Sequence, residues 1–104
     1  YTQLEKRMLM MYNDGEMAGR CYEDYIAHEM AHIIPFQNCT TEQEYRDLSE
    51  VLKSEFIAGI SGYADRKKDG RESLAEAFVK YRNGEEIPKA AQELIKKYIE
   101  PWRR

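Results

Sequence analysis

Residues 25–36, YIAHEMAHIIPF, carry both of the chain's histidines and decide which fold and site to expect. His28 and His32 lie four positions apart, and Glu29 directly follows the first of them. Apolar residues surround these three and are expected to be buried around the site, and Pro35 ends the segment. Because side chains four positions apart lie above one another on a helix, the stretch predicts a helix that presents both imidazoles on one face.

The HExxH spacing of this helix predicts a metal site. Two imidazoles one turn apart can bind the same zinc ion, whereas Glu29 lies at the edge of their face, where it can reach a water on that ion. A catalytic zinc has three protein ligands and one open position, so a third ligand is required. The alternative interpretation is a pair of ordinary histidines on a partly buried helix, since the same spacing also occurs where no metal binds.

The third ligand is expected to be a carboxylate, because the residues that follow the motif contain no further histidine. Glu72 and Glu76 lie four positions apart in the segment GRESLAEAF and so share one helical face. Ala75 and Ala77 of this segment are small, so we expect its helix to approach the motif helix closely. We expect Glu72 to bind the metal and Glu76 to accept an N–H from a ligating histidine, which fixes the tautomer of that histidine. In principle either glutamate can reach a metal. Two solvated glutamates are the simpler interpretation, and Cys39 is another candidate ligand.

The remaining periodicity predicts a mainly α fold, with a compact core of about four helices and little or no β-sheet. The motif helix spans from about residue 16 or 18 to residue 34. Thr41 and Glu44 form a capping-box pattern that begins a second helix, which runs to about residue 57. A third takes residues 71–82, and a fourth lies between Pro88 and Pro101. Residues 3–12 are either helix or the end of a strand, and residues 59–70 are predicted to be a polar loop.

The composition is consistent with one small domain over residues 1–104. A formal net charge of -3 argues against nucleic-acid binding. The sequence contains no run of 18 apolar residues, so no membrane-spanning segment is predicted. The first residues show no signal peptide and no initiator methionine, so the chain can be a piece of a longer protein. Cys21 and Cys39 are expected to be reduced thiols, with a disulfide between them as the alternative.

HEMAH, followed about forty residues later by GYA and ESLAEAF, resembles the gluzincin zinc metallopeptidase domains of the anthrax lethal factor type. Pro-Pro endopeptidases of clostridia and domains in phage head-associated proteins look similar. The resemblance covers roughly residues 20–85, and residues 72–78 match the family's E-x-x-A-E-[AT]-F helix. Tyr63 matches the family's tyrosine. The β-sheet that precedes the motif helix in this family is hardly visible in residues 1–19.

This resemblance implies a zinc-dependent endopeptidase that acts on a peptide or protein substrate. It implies His28, His32 and Glu72 as zinc ligands, Glu29 as the general base, and Tyr63 as a hydrogen-bond donor to the transition state. We expect no nucleic-acid or membrane partner, and a cytoplasmic or phage-associated location. The alternative is a non-catalytic, zinc-stabilised structural or assembly module of a phage or secreted multidomain protein. An open coordination position would favour the enzyme, and a fourth side-chain ligand would favour the module.

Overall fold

Helices make up all the regular structure in the computed structural model of the chain, which describes residues 3–103. This part contains two short 3-10 helices, Ile34–Phe36 and Glu100–Arg103, and no strand. Its six α-helices are α1 (Gln3–Asn13), α2 (Tyr22–Ile33), α3 (Glu42–Ser54), α4 (Gly62–Lys67), α5 (Gly70–Arg82) and α6 (Lys89–Tyr98). The mainly α prediction is confirmed. Tyr1, Thr2 and Arg104, which belong to the predicted domain 1–104, lie outside the described residues.

Four of these helices correspond to the four predicted from the sequence, and two are additional. Residues 3–12, left open between helix and strand, lie in α1. The polar loop predicted at residues 59–70 is wrong in part, because α4 occupies its centre. The Ser61 hydroxyl accepts a hydrogen bond from the backbone N–H of Ala64 and so caps this helix, while the Ala64 side chain is fully buried.

The motif helix begins at Tyr22, later than the predicted residue 16 or 18. The backbone at Cys21 is extended, with a φ of -151° and a ψ of 172°, so no helix runs through this residue. The N–H of Ala18 donates to Glu76 over 3.0 Å, and the N–H of Arg20 donates to Asp24 over 3.2 Å.

The buried face of α2 is not the face that carries its large apolar residues. We expected the larger apolar residues around the motif to be buried, but most of them are exposed, namely Tyr22, Tyr25, Ile26, Met30 and Ile33. The buried face is narrow and consists of Asp24, Ala27, His28 and Ala31. Its small residues let another helix approach closely, so the two histidines lie near that neighbour.

That neighbour is α5, against which α2 packs more extensively than against any other described helix. Ala27 and Ala31 of α2 and Ala75 and Ala77 of α5 belong to one buried cluster and are at most 4% exposed. The close approach predicted from Ala75 and Ala77 is therefore present. It brings the two glutamates of α5 next to the histidines of α2.

The helix ends largely follow the predicted signals. Thr41 caps α3 by accepting from the N–H of Glu44, whereas the Glu44 carboxylate turns to Thr40 instead of completing a capping box with Thr41. The helix ends at Ser54, before the predicted residue 57. Gly84, directly after the end of α5, has a φ of 76°, as expected for a glycine at a helix C-terminus. No helix within residues 3–103 is long and apolar enough to cross a membrane.

Gly70 marks a close contact between α3 and α5 and yields a first prediction. A β-carbon at this position would overlap the carbonyl oxygen of Leu52 and lie 2.8 Å from the carbonyl carbon of Glu55. Gly70→Ala should therefore lower the free energy of unfolding by about 1–3 kcal/mol, since neighbouring backbone must move. Chemical denaturation measures this. Gly59→Ala is the control, because its β-carbon meets open space and only the φ of 86° opposes it, at about 1 kcal/mol. Equal midpoints for Gly70→Ala and the unchanged protein would contradict this account of the contact.

Candidate metal centre

The nitrogen and oxygen atoms that can bind a metal converge where α2 meets α5. One ligand atom each from His28, His32 and Glu72 lies within 4.8 Å of the others. The two Nε2 atoms are 3.1 Å apart, and Glu72 places Oε1 2.8 Å from His32 Nε2 and Oε2 3.6 Å from His28 Nε2. Ligands of a tetrahedral zinc, bound at about 2.0–2.1 Å, are separated by roughly 3.3 Å. The spacing of the three side chains thus fits a zinc ion.

A buried oxygen of Glu72 supports the same fit. Oε2 is inaccessible to solvent and has no hydrogen-bond partner, and 3.6 Å to His28 Nε2 is too long for a hydrogen bond. A buried carboxylate oxygen without a partner is costly and calls for a cation or a donor. Two imidazoles and one carboxylate are also a donor set that zinc prefers. The residues present therefore suit the metal predicted from the sequence.

Glu76 lies behind His28, on the side away from this group. Its Oε2 lies 2.9 Å from His28 Nδ1, and its Oε1 accepts hydrogen bonds from the Ser61 hydroxyl at 2.8 Å and the Ala18 N–H at 3.0 Å. The residue is fully buried. When Nδ1 of neutral His28 carries the proton, the lone pair on Nε2 is free to bind the metal. This is the placement expected for the two glutamates, and their roles in metal binding stay predictions.

Glu29 lies outside the ligand group, at the rim of the same site. It is solvent-exposed and lines a cleft of about 360 Å³ together with His32 and Glu72. Phe36, Tyr45 and Arg71 form the rest of this cleft. Glu29 is thus placed to meet a water or substrate in the cleft.

Tyr63 reaches the site from α4. Its ring centroid is 6.1 Å from that of His28. Burial, together with the nearby Glu72 carboxylate, raises the pKa of Tyr63 to about 12. The phenol therefore keeps its proton at neutral pH and remains a hydrogen-bond donor.

The charges of the metal-free site are strongly coupled. Burial alone would lower the pKa of His28, but Glu72 and Glu76 outweigh burial and raise it to about 9. Burial would likewise raise the pKa of Glu72, but His28, His32 and Tyr63 hold it well below its usual range. At neutral pH, His28 of the metal-free protein is accordingly a positively charged imidazolium, and the neighbouring Glu72 is ionised.

Zinc should displace that proton, because the metal binds a neutral imidazole. Below about pH 9 the His28 of the metal-free protein carries the extra proton of an imidazolium, so zinc binding should release close to one proton from it. Release should fall as pH rises through 9, and affinity should increase with pH up to that point. Calorimetry in buffers of different ionisation enthalpy counts the protons. Binding at pH 7 with no proton released would contradict the charge state assigned to His28.

Sequence reasoning missed two residues of this site and proposed one that lies elsewhere. Ser61 and Ala18 hold Glu76 across gaps of 15 and 58 residues, which no local pattern connects. A serine directly before GYAD was the one available signal, as a helix N-cap. Cys39 is not part of the ligand group found among the described residues, and both Cys21 and Cys39 are free thiols.

Comparison with known proteins gives no match for this chain among family models, curated proteins or solved structures.

Proposed function

We propose that this chain is a zinc-dependent endopeptidase domain of the gluzincin type. One observation carries the proposal: His28, His32 and Glu72 converge within 4.8 Å, and Glu29 lines the same cleft without joining them. Three ligands and a separate carboxylate are the parts that metal-assisted peptide hydrolysis requires. The sequence resemblance to gluzincins supports the same assignment.

A zinc ion held by these three side chains would polarise the scissile carbonyl and lower the pKa of a water. Glu29 accepts the proton of the attacking water on a carboxylate oxygen and passes it to the nitrogen of the leaving amine. The Tyr63 hydroxyl donates a hydrogen bond to the carbonyl oxygen as negative charge develops there. Glu76 holds His28 in the tautomer that leaves Nε2 free to bind the metal.

The cleft suits a peptide. Its volume of about 360 Å³ lies at the lower end of the range for ligand sites, roughly 300–1,000 Å³. The rings of Phe36 and Tyr45, with centroids 4.5 Å apart, form an apolar wall on which a substrate side chain can pack. Arg71 lines the same cleft, but its guanidinium is paired with Asp69.

The alternative, a non-catalytic module held together by zinc, accounts for fewer of these features. A structural zinc site normally closes with four protein ligands, and the group found among residues 3–103 has three. A rim carboxylate such as Glu29 also has no task in such a site. These observations favour the peptidase.

Two measurements test the proposal together. Purified protein should contain about one zinc per chain, and it should cleave members of a random peptide library. Glu29→Gln should retain the metal without cleaving. Protein that takes up no zinc at neutral pH would refute both the peptidase and the zinc module. Protein that binds zinc but cleaves nothing would leave the module as the better account.

A further inference from the structure

A single hydroxyl group joins the helix that carries Tyr63 to the carboxylate that orients His28. The Ser61 hydroxyl donates a hydrogen bond to Glu76 Oε1 over 2.8 Å and accepts one from the N–H of Ala64 over 3.2 Å. Both contacts are buried, and Ser61 is only 7% exposed. We propose that Ser61 is a positioning residue, which sets the orientation of His28 and the place of Tyr63 at the same time. This inference rests on the proposed metal site.

The first half of the argument concerns the Glu76 carboxylate. Oε1 accepts two hydrogen bonds, from Ser61 and from the N–H of Ala18, so its rotation about the side chain is fixed. Oε2 is then left for His28 Nδ1, at 2.9 Å. If Ser61 is removed, Oε1 keeps one donor, and the carboxylate can turn away from the imidazole. Loss of such an orienting partner typically weakens metal binding.

The second half concerns α4, which has only six residues. A helix this short is not stable by itself, so its position depends on its cap and neighbours. Besides the cap, it is held by two backbone hydrogen bonds, from Gly62 N to Gly15 O at 2.9 Å and from Tyr63 N to Glu16 O at 2.8 Å, and by an ion pair between Arg66 and Glu16. Ser61 thus secures the end of the helix at which Tyr63 lies.

Residues 15–18 complete this support. They supply the carbonyl groups that hold Gly62 and Tyr63, and through Ala18 they supply the second donor to Glu76. The Ser61 hydroxyl links α4 to α5, and Glu76 links α5 to this segment through the N–H of Ala18. A change at one hydroxyl should consequently reach both the metal ligand and the phenol, although Ser61 touches neither.

The test compares hydroxyl removal with hydroxyl retention. Ser61→Ala and Ser61→Gly should weaken zinc binding about 10-fold, the lower end of the usual loss for a partner behind a ligand, and should alter the visible spectrum of the cobalt-loaded protein. Glycine is tolerated at helix N-caps, so the second variant separates the lost hydroxyl from a misfolded helix. Ser61→Thr keeps the hydroxyl and should bind zinc about as well as the unchanged protein.

Thr41→Ala is the matched control. Thr41 caps α3 by the same kind of hydrogen bond, to the N–H of Glu44, but its hydroxyl is not bound to the metal-site carboxylate. This variant should lose stability without losing zinc affinity. Equal losses of affinity in Thr41→Ala and Ser61→Ala would overturn the inference, as would unchanged affinity and an unchanged cobalt spectrum in both Ser61→Ala and Ser61→Gly.

A metal-free measurement separates this inference from the proposed function. In 15N-labelled protein without metal, Ser61→Gly should shift the imidazole signals of His28 and the amide signal of Tyr63, whereas Thr41→Ala should leave them in place. If the unchanged protein binds no zinc but these shifts occur, the proposed function falls and the positioning role stands. If the signals do not move, the positioning role falls whether or not zinc binds.

Discussion

Glu29→Gln is expected to bind zinc as tightly as the unchanged protein and to hydrolyse peptides about 10²- to 10⁴-fold more slowly. The exposed Glu29 lies at the rim of the cleft and is not one of the three converging ligands, so its loss should not disturb the metal. Glutamine keeps the size of the side chain but cannot take a proton from water. Zinc titration and peptide hydrolysis under saturating zinc measure the two effects separately.

Glu23→Gln is the control for this variant. Glu23 is also an exposed glutamate of α2, so the change in charge on the helix is the same, but its side chain does not line the cleft. Glu23→Gln should retain peptide hydrolysis. If Glu29→Gln loses zinc, Glu29 is a ligand and its assignment as base is wrong. If Glu23→Gln is as inactive as Glu29→Gln, the effect comes from helix charge and not from proton transfer.

Glu72→Ala is expected to abolish tight zinc binding, whereas Glu76→Ala should weaken it by about 10- to 100-fold. Both oxygens of Glu72 face the histidine Nε2 atoms, at 2.8 and 3.6 Å. Glu76 instead reaches Nδ1 of His28, the ring nitrogen that points away from the metal position. Zinc titrations of the two variants give the comparison directly.

Stability separates the two glutamates a second time. Glu76 is fully buried, so Glu76→Ala leaves the donors of Ser61, Ala18 and His28 without their acceptor, at about 1–3 kcal/mol for each unsatisfied group. Glu76→Gln keeps a hydrogen-bond acceptor at this position and should be more stable than Glu76→Ala. Melting of the metal-free variants shows how much of any loss in affinity is unfolding. If Glu76→Ala abolishes binding and Glu72→Ala has a mild effect, the two roles must be exchanged. Negligible effects of both would refute the gluzincin interpretation.

The parts of the fold that local sequence determines were predictable. These parts depend on residues within one or two turns of each other. They are the histidine pair of α2, the glutamate pair of α5, the Thr41 cap and the end of α5 before Gly84. His28, His32 and Glu72 could be nominated for the same reason, since each pair or motif is local and only the meeting of the two helices had to be assumed. The small residues at Ala75 and Ala77 supported that assumption.

Other features depend on contacts between distant residues, and these were not predictable. The segment before α2 is held by Glu76, which accepts from the N–H of Ala18, 58 residues away in the sequence. The Ser61 hydroxyl, which caps α4, also donates to Glu76. The buried face of α2 was misjudged because periodicity shows that apolar residues share a face but not that the face is covered. Here the covered face consists of alanines, His28 and Asp24, while Tyr22 and Ile33 are exposed.

The contact at Gly70 has a consequence beyond stability. Gly70 fits against the backbone of α3, and Glu72 lies two residues further along the same helix. Ser73 strengthens this junction by donating to Gly70 O at 3.1 Å and accepting from Ile57 N at 3.3 Å. The contact with α3 thus helps to position the first turn of α5, which carries the Glu72 carboxylate. A displacement of about 1 Å can lower the rate at an active site about 10²-fold, so a wider spacing of α3 and α5 should reduce the proposed peptidase activity even in a variant that folds.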